Sequence, residues 1–112
     1  MHNEEFITHV IIHEYLHFLR AEFGIVTEDT AKNEGETTLL SLIVTQTMYQ
    51  IDSSLEELIE YYYGASRYAG YAQDILNQPG FSKDVFIYDA LTKRYEIGRF
   101  NGALIFLVSI WR

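Results

Sequence analysis

Glu4 to Phe23 is a twenty-residue stretch without glycine or proline, and Gly24 follows it. Apolar residues recur in it at helical spacing, which predicts one long amphipathic helix. With His13 at zero degrees and steps of about 100° per residue, His17 falls at about 40°, on the same face one turn later. Glu14 falls at about 100°, beside that face but not on it. Ile7, Phe18, Ile11, Tyr15, Leu19, Ile12, Phe23 and Leu16 fill an arc from about 120° to 300°. The expectation is that this arc is buried in a core, and that the His/Glu edge faces a cleft on the other side. Other helices must then supply the surface against which the arc packs.

The rest of the chain offers them. With 112 residues, one domain spanning 1–112 is expected. A hydrophobic fraction of 48% and an aromatic fraction of 15% exclude a disordered chain. A second helix is expected from about Thr30 to Tyr49. A third starts after Asp52-Ser53-Ser54, where Ser53 with Glu56 and Ser54 with Glu57 both fit a capping box. It is expected to reach Leu76, where Asn77-Gln78-Pro79-Gly80 stops it. A fourth opens on Ser82 as N-cap and runs towards Ile97. The segment from about Asn101 to Trp111 is apolar on all sides and suits a buried helix or a buried strand. The predicted fold is mostly α: a compact single domain of about five helices, with the first two packed together and little or no β-sheet.

A net charge of −8 argues against nucleic acid as a partner, because phosphate binding needs Lys and Arg. It argues equally against anionic membrane surfaces. The longest apolar run, Ala103 to Val108, falls far short of the ~20 residues of a spanning helix. Met1 to Glu5 is acidic and carries no signal-peptide pattern, so the expected location is the cytoplasm. The chain has no cysteine, so any metal must be held by histidine and carboxylate.

His13 and His17 have the spacing that one ion needs from two ligands on a helix. His9 lies one turn earlier on that face. Three histidines at i, i+4 and i+8 rise about 12 Å along the axis, too far for all three to reach one ion. His9 is therefore left out of the ligand set. A third ligand is expected to be a carboxylate from Asn33-Glu34-Gly35-Glu36, and either glutamate suits. Glu14, beside the metal without ligating it, is placed to take a proton from water.

Val10-Ile11-Ile12-His13-Glu14-Tyr15-Leu16-His17-Phe18-Leu19 resembles the extended zincin signature, and Asn33-Glu34-Gly35 resembles the Asn-Glu-Gly of gluzincins. The chain thus resembles gluzincin-type zinc metallopeptidases over Val10 to Thr38, and in length it is close to the minigluzincins. The resemblance implies Glu34 rather than Glu36 as third ligand, one catalytic Zn²⁺, Glu14 as general base, and peptides or unfolded proteins as substrates. Sixteen residues separate His17 from Glu34, slightly fewer than in the aminopeptidases of that group. Only twelve residues precede His13, too few for the upstream sheet whose edge pairs with substrate in zincins. Tyr61, Tyr62, Tyr63, Arg67, Tyr68 and Tyr71 are candidate oxyanion or substrate contacts. The same tyrosines and the apolar C-terminal segment are candidate surfaces for self-association. The alternatives are a catalytically silent or autoinhibited zinc-binding interaction protein, and a fragment of a larger gluzincin.

Overall fold

The computed structural model describes residues 3–25 and 29–92. They form five helices and, among the described residues, no strand: α1 (Asn3–Glu22), α2 (Thr30–Met48), α3 (Leu55–Tyr63), α4 (Arg67–Leu76) and α5 (Lys83–Thr92). Among the described residues no helix is long and apolar enough to cross a membrane. The expected last segment, 101–111, and the expected end of the fourth helix beyond Thr92 lie outside the described residues.

Local signals set the helix ends. Gly24, at φ 75°, closes α1. Its N–H bonds the Ala21 carbonyl at 3.0 Å and the Ile25 N–H bonds the Arg20 carbonyl at 2.8 Å, a Schellman pair with Ile25 buried behind it. Asp29 caps α2 by accepting from the Lys32 N–H. Ser54 and Glu57 form the capping box that opens α3. The third helix does not continue to Leu76. It stops at Gly64, and Ser66 starts α4 by accepting from the Tyr68 N–H. Glycine is a poor helix former and serine competes for backbone donors, so the two together favour a new N-terminus over a continuous helix.

α2 is the central element, buried on all sides from Gly35 to Ile43, and it packs against each of the other four helices. The core comprises Leu16 of α1, Leu39, Leu40, Leu42 and Ile43 of α2, Leu58 and Ile59 of α3, Ala72 of α4, and Phe86 and Ala90 of α5. Gly35 sets the α2–α4 distance. A Cβ there would lie 2.8 Å from the Tyr71 carbonyl oxygen and 3.0 Å from its carbon. Gly35→Ala is expected to destabilise the fold by about 1–3 kcal/mol of overpacking, offset by at most about 1 kcal/mol of helix propensity. Urea unfolding checks this, and an unchanged or raised midpoint would show slack between α2 and α4.

The orientation of α1 departs from expectation. Ile7 (57% exposed), Ile11 (63%), Tyr15 (58%) and Phe18 (60%) face outward, while His9, His13 and Arg20 are buried. Only the part of the apolar arc that carries Leu16, Ile12 and Leu19 meets the core. The reason lies on α2, where Thr37, Ser41 and Thr45 follow at i, i+4 and i+8 and are completely buried beside Thr38. That hydroxyl seam faces α1, and polar groups buried against it must find partners. The polar edge of α1 supplies them: Arg20 bonds Thr37 and His9 contacts Thr45.

Candidate metal centre

Three side chains converge between α1 and α2. His13 Nε2 lies 3.1 Å from His17 Nε2, which lies 3.1 Å from Glu34 Oε2, and the third side of the triangle measures 3.6 Å. These atoms belong to a His-His-Glu group able to hold a metal ion. Ligand atoms at about 2.0–2.1 Å from a tetrahedral zinc stand about 3.3–3.4 Å apart, so the triangle has the size that zinc requires. Oxygen and imidazole nitrogen, with no thiolate, suit a borderline divalent ion of this kind. His13 is buried, whereas the side chains of His17 and Glu34 remain 25% and 21% exposed. The group is therefore anchored on its inner side and open to solvent on the other.

Electrostatics keep the inner histidines neutral. Burial lowers the His13 pKa, with His17 adding to the effect and Glu34 and Glu14 opposing it. His9 is pushed down to about 4, chiefly by burial and next by His13. Neutral imidazole is the form that ligates metal.

The α1–α2 geometry is locked by Arg20, which is 1% exposed. Its Nε donates to the Ala90 carbonyl of α5 at 2.9 Å. One terminal nitrogen donates to the Asn33 carbonyl and side-chain oxygen and to Thr37 Oγ1; the other donates to Glu36 Oε1 at 2.6 Å. Glu36 is thus committed to an ion pair, and Glu34, two residues earlier, points to the histidines.

The remaining site residues separate. Glu14 is exposed, and its charge acts on both His13 and Tyr63. Tyr63 reaches the cluster from behind, its hydroxyl 3.2 Å from His13 Nδ1, and burial raises its pKa. Tyr68 stands edge-on to Tyr63 with centroids 6.4 Å apart, Tyr71 lies beyond it at 6.1 Å, and the Arg67 guanidinium lies 5.8 Å over the Tyr68 ring. Tyr62 stacks on His9 at 4.7 Å, and Tyr61 is exposed. His9 is not part of the triangle; it touches Tyr63 and Thr45 instead. Apolar patterning does not single out Arg20. The signal for it is its position at about −20° on the α1 wheel, between His9 and His13.

Compared with protein-family models, with curated proteins and with solved structures, the chain finds no match.

Proposed function

We propose that the chain is a zinc-dependent metallopeptidase of the gluzincin type, in which His13, His17 and Glu34 hold one Zn²⁺ and Glu14 is the general base. The observation that carries the proposal is the triangle of two imidazole nitrogens and one carboxylate oxygen with edges of 3.1, 3.1 and 3.6 Å. When bound, Zn²⁺ lowers the pKa of a coordinated water towards about 7 and polarises a carbonyl. Glu14 accepts the proton of the attacking water as the new C–O bond forms. It then delivers that proton to the amide nitrogen as the C–N bond breaks. An extended peptide or an unfolded protein would approach from the solvent-open side of the cluster, where His17 and Glu34 lie. Because the Tyr63 hydroxyl is engaged with two histidines, Tyr68, Tyr71 and Arg67 are the better candidates for contacts to the developing oxyanion. The proposed compartment is the cytoplasm.

Elemental analysis of the purified chain tests the ligand set. The parent is expected to carry close to one zinc per chain, and His13→Ala and Glu34→Ala to carry almost none. A parent without zinc, or a Glu34→Ala variant that keeps it, overturns the assignment.

One observation favours a second reading, a zinc-binding interaction protein without turnover. Ile7, Ile11, Tyr15 and Phe18 form an exposed apolar stripe on the helix that carries the histidines, and such stripes mark docking surfaces. Under this reading zinc binds, but no substrate is cleaved at any protein concentration.

A further inference from the structure

On the side of His13 away from Glu34, polar groups form a line through the interface of α1, α2 and α3. His13 Nδ1 is 3.2 Å from the Tyr63 hydroxyl, which also contacts His9 Nε2. His9 Nδ1 is 3.4 Å from Thr45 Oγ1, and Thr45 donates to the Ser41 carbonyl at 2.8 Å.

The direction of this line follows from the hydrogens available. A carbonyl only accepts, a hydroxyl has one hydrogen, and a neutral imidazole has one N–H. The Thr45 hydrogen is committed to Ser41, so the Thr45 oxygen accepts from His9 Nδ1–H. His9 is buried and stacked on Tyr62, surroundings that favour the neutral ring. Its Nε2 is therefore bare and accepts the Tyr63 hydrogen. The Tyr63 oxygen is then left to accept from His13 Nδ1–H. On the other side the Glu34 carboxylate takes its hydrogen from His17 Nε2 at 3.1 Å, and His13 Nε2, 3.1 Å from His17 Nε2 and 3.6 Å from Glu34, keeps its lone pair.

We infer that Thr45, His9 and Tyr63 form a one-way hydrogen-bond relay that fixes His13 in its Nδ1–H tautomer and so presents Nε2 for metal. The inference rests on the reading of His13 as a ligand and gives it a cause. Tyr63 is a positioning residue here, acting through His13. The partner on the second nitrogen of a ligating histidine sets which nitrogen faces the metal, and loss of such partners typically costs about 10–100-fold in affinity.

The test combines zinc titration against a competing chelator with long-range ¹⁵N spectra of the imidazoles in the metal-free chain. The parent is expected to show His9 and His13 both as Nδ1–H tautomers. Tyr63→Phe removes the acceptor for His13 Nδ1–H and is expected to weaken zinc by about 10–100-fold. His9→Phe leaves Tyr63 in place but frees its hydrogen to donate to His13 Nδ1. It is expected to shift His13 towards the Nε2–H tautomer and to weaken zinc by a similar factor. A space-filling role for His9 and Tyr63 predicts unchanged affinity and an unchanged His13 spectrum in both variants. Either that result or an Nε2–H His13 in the parent overturns the relay. Should a variant fail to fold, the parent's spectra still decide. Should the parent take up no zinc, the proposed function fails while the spectra still test the relay.

Discussion

Glu14→Gln is expected to keep one zinc per chain and to lower the rate of casein cleavage by about 10²–10⁴-fold, the usual contribution of a general base. That is a barrier increase of about 3–5 kcal/mol from one atom exchanged for another of similar size. The substitution is informative because of where Glu14 lies. It is exposed on α1 and outside the His-His-Glu triangle, so it neither packs in the core nor supplies a ligand atom. Exposed substitutions of this kind change stability by about 0.5 kcal/mol or less, so an unchanged melting temperature is part of the expected result. Cleavage by the Gln variant as fast as by the parent would remove Glu14 from the mechanism. Absence of cleavage by the parent, with zinc bound and at every dilution, would favour the interaction protein.

The largest effect on stability is expected at Arg20. Arg20→Met keeps much of the side-chain length but removes the charge facing Glu36 and the donors to Ala90, Asn33 and Thr37. Breaking a buried ion pair from one side typically costs about 3–5 kcal/mol, because the remaining charge is stranded. For a domain of this size that lowers the melting temperature by more than about 10 °C. The double variant Arg20→Met/Glu36→Met is expected to recover a good part of the loss, since replacing both partners of a buried pair is far less costly than removing one. Thermal unfolding of the single and double variants measures the coupling. Additive losses would show that the pair is not coupled in the way its 2.6 Å contact implies. Because Arg20 also holds the Asn33 carbonyl, the single variant is expected to bind zinc more weakly as well.

The parts of the fold that rest on local chemistry were legible in the sequence. Gly24, Ser54 with Glu57, and Ser82 lie at helix ends because backbone donors and acceptors there need nearby partners, and residue type reports that need directly. The triangle was legible for a similar reason: the spacing of His13 and His17 is intrahelical, and the Asn-Glu-Gly resemblance picked out Glu34. The rotation of α1 was not. Apolar periodicity assumes that a helix meets an apolar neighbour, but the neighbour here is the Thr37–Ser41–Thr45 seam, and the partnership of two polar faces depends on both helices at once. The break at Gly64 is hidden by an apolar pattern that runs through it, and only the pairing of Gly64 with Ser66 signals it. Nothing local to Arg20 in the sequence reports its partners. Only the tertiary fold brings Ala90, seventy residues away, and Glu36 to its guanidinium.

Asn33-Glu34-Gly35-Glu36 turns once around α2, and every residue of the four is engaged by another helix. Asn33 accepts from Arg20, Glu34 faces the histidines of α1, Gly35 admits the backbone of α4, and Glu36 neutralises the buried guanidinium. No position in the four is spare. A randomised library across this window should therefore return almost only the parent sequence when selected for folding and metal uptake together. Selected for folding alone, it should retain Gly35 and Glu36 but release Glu34, whose partners are the histidines.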